Sequence, residues 1–202
     1  MTTSYGLRPR TLVLGVALSL ASGCASNREH AVSPNPADDP RRQPYVIGPS
    51  DVVTVTVWKD PALSTEATVR PDGTITLPVA GEIRAAGRTI TDLQQEAQQR
   101  IATLVKDAVV TVSVSEVNSY RFTVAGNVEH PGLFTSRYYL TVSEAIALAG
   151  GPNRYAATHD IVVVRPTQTG PERIAIDYDR ILSGKSPEQD IVLRAGDAVR
   201  VP

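Results

Sequence analysis

The chain has 202 residues, 42% of them hydrophobic, with 20 Lys and Arg against 21 Asp and Glu and a formal charge of −1. No block of basic residues interrupts this balance, which argues against a nucleic-acid partner. A single cysteine excludes an intrachain disulfide, so stability must come from ordinary core packing, for which the hydrophobic share is sufficient.

Arg8 and Arg10 make a basic start, and Leu12 to Ala21 follow as an apolar stretch of roughly ten residues. That is too short for a membrane-spanning helix, which needs about 20. Small residues lead to the lone thiol, and Leu20-Ala21-Ser22-Gly23-Cys24 resembles the lipobox of bacterial lipoproteins. The resemblance implies that residues 1–23 are a signal peptide and that Cys24 is acylated and becomes the mature N-terminus. An ordinary secretory signal followed by a free cysteine is the alternative. Losing Arg8 and Arg10 with the signal leaves 18 basic against 21 acidic residues, a charge of about −3. Ala25 rather than aspartate follows the cysteine, which among lipoproteins of double-membraned bacteria resembles an outer-membrane address. Ala25 to Pro44 is rich in Pro, Ser, Asn and Asp and has no periodicity, so residues 24–44 read as a disordered tether.

From Tyr45 the pattern changes. Val53, Val55 and Val57 alternate with Thr54 and Thr56, and Val110, Val112 and Val114 with Thr111, Ser113 and Ser115, each predicting a half-buried strand. Between them Arg70-Pro71-Asp72-Gly73 predicts a hairpin turn joining Val69 to Ile75 and Leu77, because proline presets φ and glycine accepts a positive one. Thr89 with Asp92 forms a capping-box pattern, and Ile90, Leu93, Ala97, Ile101 and Leu104 form one apolar helical stripe.

The second half follows the same logic. Phe122 and Val124 begin a strand, Gly126 and His130-Pro131-Gly132 supply turns, and Thr141 with Glu144 caps a helix carrying Val142, Ala145, Ile146 and Ala149 that Gly150 and Gly151 end. Ile161–Val164, Ile174–Ile176, Ile191–Leu193 and Ala198–Val201 are further strand candidates. The segment Ile47-Gly48-Pro49-Ser50-Asp51-Val52-Val53-Thr54-Val55 is echoed by Leu193-Arg194-Ala195-Gly196-Asp197-Ala198-Val199-Arg200-Val201. In both, a turn and an aspartate launch a strand, and an Asx-type bond to the turn backbone is the expected role of the carboxylate. The reading is α+β, with two small domains over 45–118 and 119–202.

These residues resemble a known family. Tyr45-Val46-Ile47-Gly48-Pro49-Ser50-Asp51, Val69 to Gly81 and Ala86-Gly87-Arg88-Thr89 resemble the N-terminal domain of bacterial polysaccharide export proteins of the Wza type. Gly126-Asn127-Val128-Glu129-His130-Pro131-Gly132, Ala149-Gly150-Gly151 and Gly196-Asp197-Ala198-Val199-Arg200-Val201-Pro202 resemble their soluble-ligand-binding (SLBB) β-grasp domain. Ser50 stands where the family usually has glycine, and Ala195 where proline is common. Longer relatives continue to a C-terminal amphipathic helix that builds the outer-membrane pore, and no such segment is recognised before Pro202.

The sequence offers no catalytic constellation, and it nominates no cofactor or metal ligand. His30 lies in the tether, His130 in a turn and His159 before a strand, without metal-ligand spacing. Asp38-Asp39 reads as solvated tether, and Asp177 and Asp179 as a solvated acidic edge in preference to a cation site. Gly150-Gly151 follows a helix instead of opening one, so it is no phosphate loop. Trp58, Tyr138 and Tyr139 have faces suited to stacking on sugar rings, with core or subunit packing at least as good a reading.

The resemblance implies a non-enzymatic protein, lipid-anchored at the outer membrane and facing the periplasm. It would form a homo-oligomeric ring that conducts exopolysaccharide or capsular polymer. Its implied partners are an inner-membrane copolymerase of the tyrosine-kinase type and a separate outer-membrane β-barrel. A monomeric saccharide-binding or sensory lipoprotein is the alternative, and a glycan-active enzyme would need a carboxylate pair that is not recognisable here.

Overall fold

Alternation builds the first sheet. In the computed structural model, which describes residues 1–2 and 39–202, β1 (Val52–Val57) buries Val53, Val55 and Val57 on one face. It pairs antiparallel with β2 (Thr65–Thr68) on one side. On the other it meets β5 (Val110–Glu116), setting Val55 opposite Val112 and Val57 opposite Val110. The order is β2-β1-β5. A separate two-stranded ribbon joins β3 (Thr74–Leu77) to β4 (Gly81–Arg84).

The predicted turn at Arg70–Gly73 forms, with the Gly73 N–H donating to the Arg70 carbonyl at 2.8 Å. The Arg70 N–H also donates to the Thr74 carbonyl at 3.0 Å, but the turn does not extend into a strand ladder, because β2 pairs with β1 while β3 pairs with β4. The backbone of Val69 explains this. Its N–H donates to the Asp51 carbonyl and its carbonyl accepts from the Ser50 N–H, both at 2.8 Å, so the strand before the turn is already committed to the 50–51 loop.

Helix α1 (Ile90–Ala102) starts at the expected capping box, in which Thr89 Oγ1 accepts from the Asp92 N–H and the Asp92 carboxylate from the Thr89 N–H. Its buried stripe is Leu93, Ala97 and Ile101. Ile90 is only half-buried, and Leu104 lies past the end of the helix and is exposed, so the fully buried stripe is two residues shorter than its spacing suggests. Together these elements enclose one core, centred on Val53, Ile75, Ile83 and Leu93.

The second sheet has the order β7-β6-β10-β8-β9. Its strands are β6 (Arg121–Gly126), β7 (Gly132–Thr135), β8 (Ile161–Thr167), β9 (Gly170–Ile176) and β10 (Ala198–Val201). The first and last strands lie side by side and parallel, Val199 opposite Val124, while β10 runs antiparallel to β8. Helix α2 (Val142–Leu148) packs Val142, Ala145 and Ile146 into the second core, and Gly150 and Gly151 follow it at φ 86° and 87°.

Ile191–Leu193 is not a strand. It makes one isolated bridge, Val192 to Thr141, and buries Ile191 and Leu193 from an irregular loop. That apolar alternation reports burial without a sheet ladder. A short helix α3 (Tyr178–Leu182) and a 3-10 turn at Pro187–Gln189 complete the domain. Both are too short to show helical periodicity in sequence.

Candidate functional site

Two turn-and-aspartate segments launch the strands at β1 and β10, and the structure gives them one geometry. The Gly48 N–H donates to Asp51 Oδ2 at 2.8 Å, and the Arg194 N–H to Asp197 Oδ2 at 2.7 Å. In each, the aspartate N–H returns a bond to the carbonyl three residues back, at 3.3 Å and 3.1 Å. Ser50 and Gly196 precede the aspartates with φ of 77° and 88°. The serine that departs from the family pattern therefore sits in the left-handed region, where glycine is the least strained residue.

The expected Asx bond is only part of what the carboxylates do, since both are buried polar groups that need full pairing. Asp197 takes the Arg165 guanidinium, with Nη2 to Oδ2 at 2.7 Å and Nε to Oδ1 at 3.1 Å, while Arg165 Nη2 also donates to the Val192 carbonyl. Asp51 meets no arginine among the described residues. It accepts from the Tyr45 hydroxyl at 2.5 Å, the Asn118 and Ser119 N–H groups at 2.8 and 2.7 Å, and the Ser119 hydroxyl at 3.0 Å, besides Gly48. Burial, reinforced by the bond to Asp51, pushes the Tyr45 phenol well above its ordinary value. Asn118 and Ser119 gave no signal in the sequence, because the bond spans 67 and 68 positions of chain.

The remaining candidates scatter. Cys24, His30 and Asp38 lie outside the described residues. His130 is exposed, and His159 lies 3.4 Å from its neighbour Asp160 on the surface. Asp177 caps α3 by accepting from the Arg180 N–H, and Asp179 accepts from the Thr158 hydroxyl at 3.0 Å. Among the described residues no group of three or more His, Cys, Asp or Glu side chains is placed to hold a metal ion.

The three aromatic candidates separate. Trp58 and Tyr138 stand out in solvent at 68% and 75% exposure. Tyr139 instead turns inward and meets the Tyr120 ring edge-on, centroids 5.1 Å apart. Tyr138, Leu140 and Leu148 line a shallow groove beside β7, and Tyr155 carries the Arg154 guanidinium 4.7 Å above its ring. The chemistry of this arrangement is shape-holding, with its buried carboxylates occupied and the Trp58, Tyr138 and Tyr155 rings on the outside.

Residues 39–115 match the family described as polysaccharide biosynthesis/export protein, and residues 121–177 match the SLBB domain. By domain order and sequence the chain belongs with the polysaccharide export proteins of the Wza type. It is 32% identical over 182 residues to the EPS I polysaccharide export outer membrane protein EpsA of Ralstonia solanacearum, covering 78% of this chain and 48% of that one. The exopolysaccharide production protein ExoF of Rhizobium meliloti is 31% identical over 94 residues, 46% of this chain and 22% of its own. The polysialic acid transport protein KpsD of Escherichia coli is 24% identical over 142 residues, 70% of this chain and 25% of its own. The chain thus spans about half the length of the EpsA relatives it matches. The SLBB match stops at residue 177, yet the same sheet closes only with β10, which lies between β6 and β8.

Proposed function

We propose that this export protein is a lipoprotein anchored through Cys24 to the outer membrane on its periplasmic side, and that it assembles into a ring that conducts exopolysaccharide or capsular polymer. The observation that carries the reading is the ordered pair of domains, export followed by SLBB, shared with relatives named for polysaccharide export. Residues 45–118 form the first working unit and 119–202 the second. The mechanism is passive, with no covalent chemistry: a hydrophilic lumen lets the polymer move because no side chain grips it.

The inner-membrane copolymerase of the tyrosine-kinase type lies below this ring in the proposal, and an outer-membrane β-barrel lies above it. A closed barrel satisfies every backbone hydrogen bond while enclosing water. Among the described residues no helix is long and apolar enough to cross a membrane. Acyl chains on Cys24 would supply attachment, since more than one chain gives stable anchoring.

Labelled palmitate should enter the wild-type protein and not Cys24→Ala, and only the wild type should fractionate with outer membranes. Detergent-solubilised wild type should have the mass of a closed multiple of the protomer. A strictly monomeric protein that binds defined oligosaccharides would replace this reading with the sensory one.

A further inference from the structure

The two domains each have their own apolar core, one built around Val53, Ile75 and Leu93 and the other around Phe122, Ile146 and Val199. Extensive packing of strand on strand or helix on strand occurs within a domain and not between them. The chain crosses from Glu116, the end of β5, to Arg121, the start of β6. Residues 40–46 also lie beside Tyr139 and Arg194 of the second domain, so the residues that hold the crossing are one of the contacts on which the relative orientation of the domains depends.

Asp51 holds them from the first domain. Three of its five donors belong to the crossing, namely the Asn118 N–H, the Ser119 N–H and the Ser119 hydroxyl. Tyr45 closes over the same point, its hydroxyl 2.5 Å from Asp51 Oδ2 and 3.0 Å from Ser119 Oγ. Arg121 holds the crossing from the second domain, its Nε donating to the Asn118 carbonyl at 2.8 Å. Gly48 completes the fit. A Cβ added there would lie 2.4 Å from Ser119 Cβ, so the glycine is required by close approach of the crossing.

We infer that Asp51, with Tyr45 and Gly48, is an interdomain latch that sets the angle between the export domain and the SLBB domain. The chemistry selects aspartate, because both oxygens face donors: Oδ1 meets two N–H groups and Oδ2 meets an N–H and two hydroxyls. An asparagine of the same shape must aim its own N–H groups at donors on one side. The corresponding Asp197 spends its carboxylate on Arg165 inside the second domain, so the same motif serves orientation in one place and internal stability in the other. The latch stands on this geometry alone. Its consequence, that the angle fixes how protomers meet in a closed ring, rests on the export reading.

Distance measurement between the domains tests it. Spin labels at Glu66→Cys on β2 and Glu172→Cys on β9, both exposed positions, would be read by double electron–electron resonance. The full-length chain would carry Cys24→Ala and be diluted with unlabelled protein. The latched protein should give one narrow distance distribution, and Asp51→Asn should widen it at least twofold. Asp197→Asn should leave it unchanged.

Gly48→Ala leaves the carboxylate intact and displaces only the crossing, so it decides the matter if Asp51→Asn fails to fold; it should shift or widen the distribution. A folded Asp51→Asn or Gly48→Ala protein with the unaltered narrow distribution would overturn the latch. Mass is read separately, on detergent-solubilised protein that keeps Cys24 and carries no labels. Wild type in one closed size and Gly48→Ala in several supports the link to the ring, and one unchanged size removes it. A monomeric wild type would count against the ring reading while the distances still judge the latch.

Discussion

Arg165 and Asp197 are exposed by only 12% and 0% at their side chains. Removing one member of such a buried pair leaves the other charge without its partner, which is the costly half of the exchange. Arg165→Ala should therefore destabilise the second domain by ~3 kcal/mol, measured by urea unfolding. An effect below ~1 kcal/mol, typical of exposed pairs, would show that water replaces the guanidinium. Gly126 makes a different demand. It sits at φ 97° opposite Val201, and an added Cβ would lie 2.0 Å from the Val201 carbonyl oxygen. Gly126→Ala should push β10 away from β6 and cost ~2 kcal/mol or more, combining positive-φ strain with the steric contact. Accelerated amide exchange along Ala198–Val201 is the expected signature, and unchanged protection there would contradict it.

Among the elements, α1 shows how local signals and packing divide the work. The Thr89–Asp92 box satisfies N–H groups that a helix start leaves unpaired. Leu93, 0% exposed, packs the helix into the first core. Thr89→Ala should cost ~1 kcal/mol, whereas Leu93→Ala should cost ~3 kcal/mol through lost burial and the cavity left behind. Urea denaturation of the two variants should preserve that ranking. Equal effects would mean that the cap also fixes the neighbouring loop, to which Val46 bridges at Thr89.

On the scale of the whole molecule, burial raises four tyrosines above the ordinary phenol value of about 10: Tyr45, Tyr120, Tyr139 and Tyr178. Tyr45 and Tyr139 lie near the interdomain crossing, while Tyr120 ties β6 to the 192–193 loop by donating to the Leu193 carbonyl at 3.2 Å. Between the ordinary value and the raised ones, the unfolded chain has released protons that the folded protein still holds. Stability is consequently intact below about pH 10 and falls as pH rises above it. Absorbance at the phenolate band should therefore rise in two stages, the later stage coinciding with loss of near-ultraviolet circular dichroism. Full ionisation of all tyrosines while that signal persists would contradict burial as the cause.

Local chemistry by itself determined the elements whose signal lies within a few residues. The Val/Thr alternation of β1, both capping boxes, the glycine pair after α2 and the α+β division into two domains were all legible in that way. The Asp51 and Asp197 turns were legible as Asx-type launches for the same reason, each bond reaching only three residues back. Tertiary structure decided which strands meet: the Arg70–Gly73 turn forms as its residues dictate, but Val69 had already given its backbone to the 50–51 loop. It also decided that Ile191–Leu193 stays irregular though apolar, because burial needs no ladder. Trp58 and Tyr138 face outward while Tyr139 packs inward, a choice made by neighbours distant in sequence. The second half of the Asp51 role was invisible for that reason too. A carboxylate can be read for the turn it caps, but its partners Asn118 and Ser119 come within reach only after both domains have folded.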